Sequence, residues 1–244
     1  MTELPPRVRA AILLRSLAVQ GSWNYETLIG TGFAFALLPA LRMAGAREEA
    51  VRSAMERHLG IFNSHPYLAT VAVGAVARLE AEGVDPRVVE RFKSAMRGSL
   101  GALGDQLVWS AWRPASALLA MVLLLAGAAW WVAVAAFLLV YNGLHLTLRS
   151  WGLRIGFASG LEVGRALREA PLQAIAGRAA DVGAVLCGMA VVLAVRPLGF
   201  DPARLAAVAL AVGIGLWLGL ATRRVVAGAV VLLWLGAMVY SWIQ

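Results

Sequence analysis

Apolar residues along this chain fall into two regimes. Up to residue 113 they alternate with charges; beyond it they run almost unbroken. In the first regime Val51, Met55, Leu59 and Phe62 recur every three or four positions among Arg47, Glu48, Glu49, Arg52, Glu56 and Arg57. That spacing gives a helix one apolar and one charged face. Val71 to Leu79 continues as an apolar helix and stops at Glu80-Ala81-Glu82-Gly83. Asp85-Pro86 then predicts an N-cap with proline at the first helical position. Helices lying along a membrane interface, or short helices dipping into it, fit residues 1–113.

The second regime predicts membrane-spanning helices, each needing ~20 apolar residues. Ala115 to Val140 carries no charge and is expected to form one span, with Trp130 and Trp131 near its middle. Val182–Val195, short for a full crossing, Leu205–Thr222 and Val225–Ile243 are further candidates. Pro197, Phe200-Asp201-Pro202 and Arg223-Arg224 punctuate them. Between these runs, Gly152, Gly156, Gly160 and Gly164 are spaced by four, which lines small residues along one helix face for close packing on a neighbour. The expected fold is therefore all-α: a polytopic integral membrane protein with amphipathic or re-entrant helices over 1–113 and a hydrophobic bundle over 114–244.

Composition agrees. Sixty per cent of residues are hydrophobic and fifteen per cent charged, against ~45–50% and ~25% in soluble domains. The net charge of +8 forms no block of five or six like charges, so a nucleic-acid partner is not expected. Cys187 is the one cysteine; no disulfide can form within the chain, and a small buried hydrophobe is its expected role. The basic residues give no clear sidedness.

Three polar clusters stand against the apolar runs. In the first, Gln20, Ser22, Asn24 and Glu26 are interleaved with Trp23 and Tyr25, just before the apolar run Thr27–Leu41. At membrane depth each polar group would need a partner, since an unpaired one costs several kcal/mol. A sugar, with its hydroxyls and apolar face, is one apt partner. In the second, His58 and His65 are seven apart and would share a face of a continuous helix. Metal binding would require further ligands that the sequence does not supply. Asn63 or Ser64 is expected to cap the helix after Pro66. In the third, Asp105 precedes Trp109, Trp112 and Arg113; it either pairs with Arg113 or serves a ligand or partner subunit. No catalytic triad, acid pair or phosphate-binding loop appears, so binding or translocation is favoured over bond breaking.

These clusters carry a resemblance. Arg15-Ser16, Gln20, Ser22, Asn24-Tyr25-Glu26, Gly32-Phe33 and Leu37-Leu38-Pro39 resemble the N-terminal signature of the IID subunit of mannose/fructose/sorbose-family sugar phosphotransferase (PTS) permeases. His58-Leu59, Phe62-Asn63 and His65-Pro66-Tyr67 resemble the second signature of that family, and Gly104-Asp105, Leu107, Trp109 and Arg113-Pro114 the third. Asn142 through Gly152-Leu153 and Gly156 resemble the fourth. Order and approximate spacing agree from residue 7 to about 165. Thr27-Leu28 and Gln106 depart from the pattern, where a basic residue with Met and a small hydroxyl residue are common.

The resemblance implies a multi-pass protein of the bacterial cytoplasmic (inner) membrane, assembled with a IIC subunit into a higher-order oligomer and surrounded by lipid. It implies uptake of a mannose-class hexose that is phosphorylated by IIB, with phosphate supplied through IIA. The IID subunit carries no phosphohistidine in that scheme and is no enzyme on its own; no cofactor and no metal are expected. The candidate substrate-binding residues are Gln20, Asn24 and Glu26 as hydrogen-bonding groups and Trp23 as a stacking face, with Asn63, His65 and Asp105 for the same site or for contact with IIC. An alternative is a IID-like membrane scaffold or regulatory protein that no longer moves sugar.

Overall fold

The computed structural model describes residues 4–43 and 47–195. The chain divides into two compact units, Met1–Ala190 and Val191–Gln244; the helices below belong to the first, α9 running on to Val195. The expected spans Leu205–Thr222 and Val225–Ile243, with the turns and the Arg pair around them, lie outside the described residues.

Among the described residues nine α-helices succeed one another: α1 (Pro6–Leu17), α2 (Gly30–Met43), α3 (Glu48–His58), α4 (Ala69–Ala81), α5 (Pro86–Gly104), α6 (Arg113–Leu125), α7 (Trp130–Ser159), α8 (Val163–Glu169) and α9 (Leu172–Val195). A π-helical segment, Asp105–Trp112, joins α5 to α6 without a break. Residue 113 thus falls inside one helical run, Pro86–Leu125. Extended pairing among the described residues is limited to two isolated β-bridges, both in loops.

Local signals account for several boundaries. The Asp85 Oδ1 accepts a hydrogen bond from the Arg87 N–H at 2.7 Å, with Pro86 opening α5. Glu48 and Glu49 begin α3 while Arg57 and His58 end it, complementing the helix dipole. Gly83, at φ 67°, ends the turn after α4.

The core is built around α4, whose residues from Ala69 to Ala77 are all buried. The helix α7 crosses it closely because glycines occupy the contact. A Cβ on Gly156 would fall on the Val71 carbonyl oxygen, and one on Gly74 on that of Leu153. The expected small-residue face is therefore used at Gly152 and Gly156. It ends at Gly160, whose φ of 52° turns the chain out of α7. Buried Phe33, Leu37 and Leu41 of α2 pack on the other side of this core.

Three expectations change. The charge-free stretch Ala115–Val140 is not one span: α6 ends at Leu125, and Gly127 at φ 91° makes a turn from which Trp130 starts α7. Uniform hydropathy hides a reversal that one glycine conformation permits. The helix predicted through Phe62 stops at His58, and Phe62 enters the core from an extended loop. Cys187 is exposed on α9 rather than buried. Val182–Val195 is the second half of the 24-residue α9.

Two helical runs, Pro86–Leu125 and Trp130–Ala194, are long and apolar enough to cross a membrane. Their outer surface carries large apolar groups such as Leu139, 75% exposed, and Val185, 64% exposed. Leaving such side chains in water forgoes ~1.5–3 kcal/mol each; against lipid the penalty vanishes.

Candidate functional site

The N-terminal polar cluster forms a loop that opens outward. After α1 the chain turns twice, with the Gly21 N–H donating to Ala18 O at 2.9 Å and Trp23 N–H to Gln20 O at 3.1 Å. Asn24 organises the turn from Ser22 to Leu28. Its Oδ1 accepts from the Glu26 and Thr27 N–H groups at 2.9 and 2.8 Å, and its Nδ2 donates to Ser22 O and Thr27 Oγ1 at 3.2 and 2.9 Å. All four hydrogen-bonding capacities of the amide are spent inside the turn. Leu28 is thereby held at φ 56°, a left-handed conformation costly for a branched side chain.

Gln20, Trp23, Asn24 and Glu26 are all exposed. Trp23 and Tyr25 meet edge to face at 4.8 Å. The side chains of Gln20 and Glu26 are absent from every hydrogen bond and ion pair among the described residues. The loop thus presents a free amide, a free carboxylate and an indole.

Its base is clamped to the second cluster. The Ile29 N–H donates to Phe62 O at 3.0 Å and the Phe62 N–H to Thr27 O at 3.1 Å. Gly30 makes the clamp possible, since a Cβ there would fall on the Gly60 carbonyl oxygen. Asn63, exposed and one residue beyond Phe62, therefore stands beside the N-terminal loop. Neither Asn63 nor Ser64 caps α4: its N-cap, Leu68, has no side-chain cap, and the Ser64 hydroxyl turns to His65 O at 3.4 Å. Strand-like pairing with residues 27–29 has drawn this segment out of capping geometry.

The two histidines part company. His58, ending α3, places Nε2 2.9 Å from the Glu80 carboxylate, which Arg57 grips through both oxygens at 3.2 and 3.1 Å. Burial holds His58 below its ordinary pKa. His65 lies in the loop, 1% exposed, its Nδ1 accepting from the Tyr67 N–H at 3.2 Å. That bond assigns the proton to Nε2, which has no partner. Burial, then the positive charge of Arg149, then His145, push the His65 pKa down to about 4, so the ring is neutral at physiological pH.

His65 opens onto an aromatic cluster that joins the loop, the π-helical segment and α7. Its ring centroid is 4.9 Å from Trp109. Tyr67 stacks on His145 at 3.9 Å and shares a 2.7 Å hydrogen bond with the Tyr141 hydroxyl. Arg149, buried, lies over Tyr67, donates from Nε to His145 Nε2 at 2.6 Å, and bonds the Ser16 carbonyl at the end of α1. One arginine thus ties α7 to the root of the exposed loop. The sequence reading missed Tyr141, His145 and Arg149, although their four-residue spacing on an apolar helix was visible.

Asp105 stands apart. It is exposed at the first position of the π-helical segment, and the ion pair with Arg113 does not form; Arg113 lies over Trp109 instead, 4.9 Å from the ring centroid. The neighbouring Gly104 packs against His65, where a Cβ would overlap the imidazole.

Helices with large apolar outer surfaces, a glycine-mediated core and an outward polar loop define a helical integral membrane protein. The comparisons narrow the class. Residues 4–196 match the profile described as "PTS system mannose/fructose/sorbose family IID component", and the chain belongs to that family. It is 30% identical over 183 residues to the PTS system mannose-specific EIID component of Escherichia coli strain K12, covering 72% of this chain and 64% of the relative. It is 30% identical over 177 residues to the sorbose-specific EIID component of Lacticaseibacillus casei, covering 70% and 62%. The fructose permease IID component of Bacillus subtilis strain 168 is 28% identical over 183 residues, covering 73% and 66%. The chain thus spans somewhat less than two thirds of the length of these relatives. Its fold matches a chain in the cryo-EM structure of the mannose transporter ManYZ with microcin E492, at TM-score 0.60 and 28% identity, covering 77% of this chain and 70% of that one.

Proposed function

We propose that the chain is the IID subunit of a phosphoenolpyruvate-dependent sugar phosphotransferase permease. With a IIC subunit it forms the uptake path for a mannose-class hexose, which IIB phosphorylates with phosphate relayed through IIA. The carrying observation is the family match across residues 4–196. Relatives named for mannose, sorbose and fructose support a hexose-class substrate rather than one sugar. The similarity to a chain of the ManYZ mannose transporter structure supports a IIC partner; a multi-pass arrangement in the bacterial cytoplasmic membrane and a higher-order assembly are part of the same proposal.

Within the site we assign sugar contact to the groups that are free. Gln20, Glu26 and Asn63 offer hydrogen bonds, and Trp23 offers a stacking face. Asn24 and His65 hold the two loops in place, and Asp105 faces a partner subunit or the ligand path. The test is sugar uptake in cells expressing this chain with its IIC, IIA and IIB partners, with assembly followed by co-purification. Trp23→Ala and Glu26→Gln are expected to weaken apparent hexose affinity about five- to tenfold, the step for one lost contact of ~1 kcal/mol, while the complex stays assembled. Unchanged affinity in both variants would overturn the site; uptake that persists without this chain would overturn the transport role.

A further inference from the structure

A groove of about 400 Å³ between α6, α7 and α9 has no part in the sugar reading. Its walls include Trp112 at the end of the π-helical segment, Ala115 and Leu119 on α6, and Arg178, Val182 and Leu186 on α9. The polar groups of the wall formed by Trp112 and α6 are already spent. The Ser116 hydroxyl donates to Trp112 O at 2.8 Å, and the Trp112 indole N–H to Val140 O at 3.1 Å. A sugar would find nothing here to replace its water, and burying its hydroxyls unpaired is costly.

Arg178 is the exception. It is exposed, it belongs to none of the ion pairs among the described residues, and it is the sole charge on an otherwise apolar lining. The groove also has polarity along its length. Leu172 and Gln173 of α9 line a cavity with Met96, Ser99 and Leu103 of α5, and Gly183 sits against Ala115. The helix α9 therefore runs parallel to the continuous Pro86–Leu125 helix. Trp112 and Arg178 mark one end of the groove, Leu119 and Leu186 the other. Tryptophan and arginine are the residues that settle at headgroup level, with apolar wall continuing toward the bilayer interior.

We propose that this groove is a specific site for an anionic phospholipid, its acyl chain lying along Leu119, Val182 and Leu186 and its phosphate held by Arg178. The planar guanidinium matches a phosphate in two-pronged geometry, and basic residues between membrane helices select lipids of net negative charge.

The test uses the full chain co-expressed with its IIC partner, reconstituted with phosphatidylglycerol and phosphatidylcholine in equal amounts and read by native mass spectrometry. The complex should retain phosphatidylglycerol about tenfold over phosphatidylcholine, the step for one charge-assisted contact. Arg178→Gln should erase that preference, Arg178→Lys should keep most of it, and Ala179→Phe, which fills the groove, should remove both lipids; the intact complex mass in the same spectra reports folding. Equal retention of the two lipids by the unaltered complex would overturn the proposal, as would an unchanged preference in Arg178→Gln. A complex free of retained lipid, the outcome if residues 205–222 or a partner helix fill the groove, would overturn it too.

Discussion

Replacing Asn24 with alanine separates a residue that shapes the loop from one that touches sugar. The substitution deletes four hydrogen bonds, of 2.8, 2.9, 2.9 and 3.2 Å. The loop is exposed, so the freed groups hydrate, and each bond is worth about 0.5 kcal/mol at the low end of the usual range. The loss of about 2 kcal/mol shifts the opening equilibrium of the turn roughly 30-fold. It also releases Leu28 from φ 56°, a conformation that itself costs ~1–2 kcal/mol. Asn24→Asp keeps the two acceptor bonds and loses the two donor bonds, so about fivefold is expected. Amide hydrogen exchange reads this directly: protection of Glu26 and Thr27 should fall about 30-fold in Asn24→Ala and fivefold in Asn24→Asp. Full protection at both amides together with weakened hexose binding would refute the reasoning, and would make Asn24 a direct ligand of the sugar.

Two further outcomes test the scaffold. Gly156→Val must push α7 from the Val71 carbonyl, at ~1–3 kcal/mol or more, lowering the melting temperature of the solubilised complex by several degrees; Gly164→Val, whose Cβ would meet only the Arg168 side chain at 3.8 Å, should leave it unchanged. Because the His65 pKa is depressed to about 4 from ~6.5 in the unfolded chain, the unfolded state takes its proton first. Stability is then full above pH ~6.5 and falls by ~3 kcal/mol as pH drops toward 4. His65→Gln should shallow that decline in denaturant titrations across that window; an unaltered slope would exclude the buried neutral ring.

What the sequence disclosed depended on how local the physics was. The Asp85-Pro86 start of α5 needs only neighbouring residues, and it stands as read. The Gly152 and Gly156 stripe was legible because small residues at helical spacing have few other uses. Asn63 and Ser64 were misread because residues 27–29, more than thirty positions away in sequence, pull the segment into extended pairing. The free carboxylate of Glu26 and the spent amide of Asn24 look alike as letters; only the closed turn tells them apart. Charge alone leaves Asp105 open between Arg113 and a ligand or partner subunit; the π-helical segment sets Arg113 over Trp109 instead.

The π-helical segment Asp105–Trp112 bears on how this protein tolerates change in length. A π turn holds about one residue more than an α turn, and each residue rotates an α-helix by ~100°. Deleting one residue between Asp105 and Trp112 would therefore make a locally more regular helix and a worse protein. The face of α5 that buries Lys93, Met96 and Leu100 would lose its phase with the face of α6 that buries Ala115, Ser116 and Val122. The irregular turn acts as a phase shifter between two helices with different neighbours. Single-residue deletions there should be purged more strongly than most substitutions, while an insertion and a deletion paired across the segment should survive.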